Sequence, residues 1–197
     1  MARDLYPLSL ITPYHVAACS VVSALESAGV DVCASRWAGT EAKIRAIRTA
    51  HNAAVVWAHW AWIDKCPAWV LERRVVVILR DPVECAISDY LRGNTGKRVR
   101  QAQQWLTLWR HRHAVDEWID FKDLSMRHYG IEQLPRENTT AEHELKRLYA
   151  AGHHRKVRTQ IQPQWDCLMV VRREVREVFA MAGLMHRLAP TPFGPRR

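Results

Sequence analysis

Val75-Val76-Val77-Ile78-Leu79 is an unbroken aliphatic run, mostly β-branched, with no polar residue to turn toward water. A strand of that kind is buried on both faces, as in a parallel sheet covered by helices. It stops at Arg80-Asp81-Pro82, and Val83 to Leu91 resumes as a helix with proline near its start. The rest of the chain alternates in the same way. Leu8 to Ile11 is a short strand ending at Thr12-Pro13, and Val16 to Ala28 is an apolar helix with Gly29 as its stop. Val30 to Ala34 is a second strand, and Thr40 to Ala50 a helix with Thr40 as N-cap and Ile44 and Ile47 on one face. Ala53 to Ala58 is a third strand, and a short helix runs from Cys66-Pro67 to Leu71. Beyond Leu91, the spacing predicts a helix over Arg98 to His113, a last strand over Val115 to Phe121, and a mostly helical remainder with one helix from Trp165 to Met181. Strands alternating with helices over this length predict a three-layer α/β fold with a mainly parallel central sheet.

The chain has 197 residues, 48% hydrophobic and 25% charged, enough to bury a core. That excludes disorder and a disulfide-stapled mini-protein, and one domain spanning residues 1–197 is the simplest organisation. The formal net charge is +9. Residues 1–144 carry 18 basic and 17 acidic side chains, whereas 145–197 carry 11 and 3, so the excess lies in the C-terminal segment. Such asymmetry favours a polyanionic partner for that segment, with a solvated basic face as the plainer alternative. Cys19, Cys33, Cys66, Cys85 and Cys167 are odd in number and scattered, which suggests reduced core thiols rather than a disulfide framework or a zinc site. Pro7 and Pro13 interrupt the start before any signal-like run, and no apolar stretch is long enough to span a membrane; the expectation is a soluble cytoplasmic protein.

In parallel sheets of this class, ligands sit beyond the carboxyl ends of the strands, so the residues just after each strand carry the functional expectation. Arg80 ends the buried strand, and Ser88 follows eight residues later, about two helical turns on. A guanidinium, a hydroxyl and a helix start at one strand-to-helix turn make a phosphate site. The plainer alternative is an Arg80–Asp81 or Arg80–Glu84 surface pair.

The segment VVVILRDPVECAISDYL, Val75 to Leu91, resembles the 3′-phosphate-binding segment of the sulfotransferases that use 3′-phosphoadenosine 5′-phosphosulfate (PAPS). In that family an apolar strand runs into Arg, Asn or Asp, then Pro, with Ser eight residues beyond the Arg. Two further matches follow the family's order. His59 in VVWAHW, 21 residues before Arg80, falls where the family places its catalytic histidine, and WIDFKDL, Trp118 to Leu124, is similar to a segment ending in Tyr-Glu-Asp-Leu. More loosely, Arg155-Lys156 followed by Trp165 is similar to the family's late Arg-Lys-Gly and Trp, with Val157 in place of Gly. The resemblance implies a fold of the P-loop nucleotide-transferase type and metal-free transfer of a sulfuryl group from PAPS to an acceptor hydroxyl or amine. His59 would be the base, with Arg80, Ser88, Arg155, Lys156 and Arg158 on the nucleotide.

The first loop departs from the family pattern. Pro13-Tyr14-His15-Val16-Ala17-Ala18-Cys19-Ser20 keeps the proline and the following helix, but it lacks the glycine, the paired hydroxyls and the cation of the family's Pro-Lys/Arg-Ser-Gly-Thr-Thr cradle. His15 is the candidate substitute for the cation. The departure keeps open a catalytically inert relative that binds a nucleotide, nucleic acid through the basic C-terminal segment, or a protein partner. Without the resemblance, His59 reads as a structural histidine held between Trp57 and Trp60. His111-Arg112-His113 and His153-His154-Arg155-Lys156 read as solvated basic clusters, because adjacent helical residues diverge by about 100°.

Overall fold

The computed structural model describes residues 6–14, 16, 18–33, 39–93, 98–122 and 143–188. Five strands form one all-parallel sheet: β1 (Leu8–Thr12), β2 (Val32–Cys33), β3 (Val55–His59), β4 (Arg74–Leu79) and β5 (Glu117–Asp120), in the order β2-β3-β1-β4-β5. The α/β architecture is the one the alternating pattern predicts. The Val75–Leu79 side chains are all 1% exposed or less, as their lack of any polar face demands.

Helix α1 (Ala18–Ser27) covers one face of the sheet, packing Val21, Val22 and Leu25 on Leu8, Leu10, Val55 and Trp57. Gly29, at φ +76°, takes the left-handed conformation that ends this helix, and the Val30 amide then donates to the Leu25 carbonyl. The opposite face carries α2 (Thr40–Arg48), α3 (Trp69–Glu72), most of α4 (Pro82–Leu91) and α5 (Arg98–Arg110). Outside them lie α6 (Glu144–Ala150), α7 (His154–Gln160), α8 (Gln162–Val170) and α9 (Arg172–Met181), which add Tyr149, Val157, Trp165, Val175 and Phe179 to the same cluster.

Several boundaries differ from the sequence expectation. The N-cap of α2 is Gly39 rather than Thr40, which is already helical. The helix expected over Trp165 to Met181 is two helices broken at Val171, where the buried valine turns into the core without any glycine or proline to announce it. The helix expected to run to His113 stops at Arg110 and tightens into a 3₁₀ turn over Arg112–Ala114. All five cysteines are free thiols, yet only Cys85 is fully buried. Among the described residues, no helix is long and apolar enough to cross a membrane.

The connections decide where a ligand can enter. From β1 the chain moves toward the β2 edge, whereas from β4 it moves toward β5, so the loops after Thr12 and after Leu79 part in opposite directions. That divergence between adjacent strands β1 and β4 is the topological switch point, the usual crevice of an open parallel sheet.

Candidate functional site

His59 is the last residue of β3, paired in register with Thr12, the last residue of β1. The His59 Nδ1 lies 3.1 Å from both the Thr12 carbonyl oxygen and the Thr12 Oγ1. A carbonyl has no proton to give, so Nδ1 carries the hydrogen and donates, which leaves the lone pair on Nε2. The Trp57 indole N–H donates to the same Thr12 hydroxyl at 3.3 Å. Tyr14 lies over the imidazole at 4.4 Å between ring centres, with Trp57 at 5.2 Å and Trp62 at 5.9 Å both edge-on. His59 is therefore half-buried in an aromatic collar, its tautomer set by a strand backbone.

Trp57 and His59, two residues apart, share a strand face, which corrects the expectation of a histidine between Trp57 and Trp60. Trp60 is fully buried and stacks on His111 at 6.3 Å. The His111 Nε2 in turn lies 2.8 Å from an Asp64 carboxylate oxygen, and Arg110 donates to the other at 2.8 Å, so this histidine belongs to a structural ion cluster.

On the other lip of the crevice, Asp81 is the N-cap of α4: its Oδ1 accepts from the Val83 amide at 2.7 Å. The Tyr149 hydroxyl of α6 donates to its Oδ2 at 2.8 Å. Burial and the Asp81 carboxylate push the Tyr149 phenol well up, so it stays protonated and keeps donating. Arg80, held between this cap and the strand, lies 4.3 Å over the Phe121 ring and donates through Nε to Glu84 Oε2 at 3.0 Å. The Arg80–Glu84 alternative thus exists, but as a largely buried pair: the side chains are 10% and 20% exposed. The other Glu84 oxygen lies 3.6 Å from the Lys122 ammonium. Lys146 of α6 joins this group, its pKa pushed down to about 8 by burial and then by Arg80, with a further push from Arg92.

Ser88 of α4 is 3% exposed, and its Oγ is one of several buried polar atoms with no hydrogen-bond partner among the described residues. Its neighbour Asp89 accepts from the Gln164 amide at 3.1 Å. A buried hydroxyl without an acceptor costs about 1–3 kcal/mol.

No protein-family model, curated protein or solved structure matches the chain. What the edge can do follows from its own chemistry. The structure brings His59 and Arg80 to one sheet edge, two strands apart on either side of β1. His15 lies outside the described residues, as do Asp123 and Leu124 of the WIDFKDL segment. Arg155, Lys156 and Arg158 are exposed on α7, which packs on α6 and α8, and Arg158 faces Asp166 at 3.5 Å. The cations acting on Lys146 of α6 are Arg80 and Arg92.

Sequence reasoning missed Lys146 and Tyr149 because both reach the edge from α6, remote in sequence, and neither stands in a local motif; Lys122 lies within the WIDFKDL segment, but its approach to Glu84 is not legible there. It also missed what holds the first loop. The Tyr14 backbone N–H donates to the fully buried Gln104 Oε1 at 2.8 Å, so α5 clamps this turn and engages an amide that a phosphate cradle would use.

Proposed function

We propose that this protein binds a 3′-phosphorylated adenine nucleotide at the β1/β4 crevice and acts as a PAPS-dependent sulfotransferase. The observation that carries the proposal is the arrangement at one parallel-sheet edge of Arg80, with an unpartnered Ser88 hydroxyl two turns along α4, and of His59, its Nδ1 committed to the Thr12 carbonyl. The first pair suits a phosphate: a planar donor fork backed by Lys122 and Lys146, with a buried hydroxyl that lacks an acceptor. The histidine suits proton removal, because the nitrogen opposite a backbone-anchored N–H is basic and oriented. PAPS, when bound, would supply the sulfuryl group. The chain's part is to anchor the 3′-phosphate at Arg80 and Ser88, exclude water with Tyr14, Trp57 and Trp62, and take the acceptor's proton at His59 Nε2.

Glu84 holds the Nε edge of Arg80, so a phosphate at this anchor competes with that carboxylate for the guanidinium. Calorimetry with adenosine 3′,5′-bisphosphate tests the anchor. Arg80→Ala lowers the affinity by about ten- to hundredfold, the worth of a charge-assisted hydrogen-bonding group, measured at a temperature where the variant, which also loses the Glu84 pair, is fully folded. Absence of binding to the wild-type chain removes the nucleotide reading. It would leave the exposed Arg172, Arg173 and Arg176 of α9, with the α7 cluster, as the face for a polynucleotide.

Lys146 makes the same anchor sensitive to pH. Its ammonium is lost from the unliganded protein around pH 8, and a phosphate beside it raises that pKa, so binding takes up protons there. The bisphosphate affinity therefore falls several-fold from pH 7 to pH 9, with uptake of about half a proton at pH 8 read from buffers of different ionisation enthalpy. Lys146→Arg flattens that profile; an unchanged slope in the variant places Lys146 outside the site.

A further inference from the structure

Lys43 occupies an unusual place. It lies in the first turns of α2, whose Ile44 and Ile47 pack into the cluster on the face opposite α1. Its ammonium, however, lies 4.2 Å from the centre of the Trp57 ring, and Trp57 belongs to the cluster under α1. The side chain thus reaches from a helix on one face of the sheet to a ring on the other. The last pairing of β2 among the described residues is Cys33 with Val56, and Trp57 to His59 continue along β3 beyond it.

The residue is 7% exposed, and lysine is among the side chains least often buried to that degree. Burial pushes its pKa down, while the Cys19 thiol in the first turn of α1 acts in the opposite sense. The Trp57 ring that carries the ammonium is itself fixed, since its N–H is bonded to Thr12 Oγ1 and Thr12 is bonded to His59. A rigid ring therefore holds a lysine charge one side chain away from the imidazole, at the end of β3.

The first loop shows why a cation matters at this position. It contains no lysine or arginine, and the Tyr14 amide is engaged by Gln104. An anionic 5′ group entering beside His59 needs charge from another element.

We propose that Lys43 supplies that charge: its ammonium, steadied on Trp57, receives the 5′-phosphate or 5′-phosphosulfate end of the nucleotide, a cation delivered from α2 in place of one in the first loop. This inference rests on the nucleotide reading above. It assigns the 5′ end to Lys43 and the 3′ end to Arg80, so the two ends of one ligand separate the two claims.

The test measures binding of two probes, adenosine 3′,5′-bisphosphate and adenosine 3′-monophosphate, to the wild type, Lys43→Met, Lys43→Gln and Lys43→Arg. In the wild type the bisphosphate binds at least about tenfold tighter, the worth of a charged hydrogen bond. In Lys43→Met that preference falls to about twofold or less while the monophosphate affinity stays within about threefold, and Lys43→Arg keeps most of the preference. Lys43→Gln, which retains a polar end in the same position, decides the matter in the same way if the methionine variant does not fold. Equal weakening of both probes in these variants makes Lys43 a structural residue and overturns the inference. An unchanged bisphosphate preference in the neutral variants overturns it as well. Failure of both probes to bind the wild type removes the nucleotide reading itself, a result distinct from either.

Discussion

On the proposed sulfotransferase reading, His59→Ala is expected to lower sulfuryl transfer by about a hundred- to ten-thousandfold, while adenosine 3′,5′-bisphosphate binds within a few-fold of wild type. The separation follows from where the imidazole sits. His59 lies at the end of β3 with Thr12 and the Trp57 ring, whereas Arg80, Lys122 and Lys146 gather around Glu84 two strands away. Removing the ring therefore takes away the proposed base and leaves the proposed 3′-phosphate anchor in place. His59→Asn is the sharper variant, because an amide N–H can still donate to the Thr12 carbonyl and preserve the loop, yet nothing remains to accept a proton. A labelled-sulfate assay over a panel of hydroxyl and amine acceptors reads the outcome. Equal transfer by His59→Asn and wild type sinks the assigned base. Intact nucleotide binding with no transfer by the wild type itself makes the protein a binding relative without turnover.

Asp81→Ala destabilises the fold by about 2–4 kcal/mol, the sum of a lost helix cap and an orphaned buried hydroxyl. Asp81 is 4% exposed; one oxygen caps α4 and the other accepts from Tyr149, which ties the start of α4 to α6. Tyr149→Phe removes only the second contact and costs about 1–1.5 kcal/mol. The double variant is then less destabilised than the two losses added, because the phenol and carboxylate share one hydrogen bond. Denaturant unfolding measures all three, and a loss below about 0.5 kcal/mol in Asp81→Ala means that the cap is not fastening the helix. The same variant also loosens Arg80, so its nucleotide affinity falls with its stability. The Arg80→Ala variant keeps the Asp81–Tyr149 bond and loses affinity out of proportion to its stability, and that contrast distinguishes the fastening from the anchor.

The sheet was legible because its signals are local. Val75–Leu79 declares burial on both faces within five residues, and Arg80-Asp81-Pro82 declares the helix start that follows. Chain order then placed His59 and Arg80 at strand ends, since a parallel sheet built by crossovers puts every strand's carboxyl end on one edge. The helical boundaries were less legible where tertiary packing outweighs local preference, as at Val171, which breaks a helix only because its side chain turns inward. Order along the chain does not show everything that gathers near Arg80. Arg155, Lys156 and Arg158 stand exposed on α7, while Lys146 of α6, which no motif marks, feels the charges of Arg80 and Arg92.

What the sequence determined by itself is therefore the α/β class, the strands of the sheet and the residues that stand at its carboxyl edge, because hydrophobic period and strand-end residues are properties of neighbours in the chain. Only the tertiary structure decided which charges meet at that edge. Lys43 reaches the His59 side from α2 and Lys146 reaches the Arg80 side from α6; such meetings depend on how helices cross a sheet, and no spacing in the chain records them.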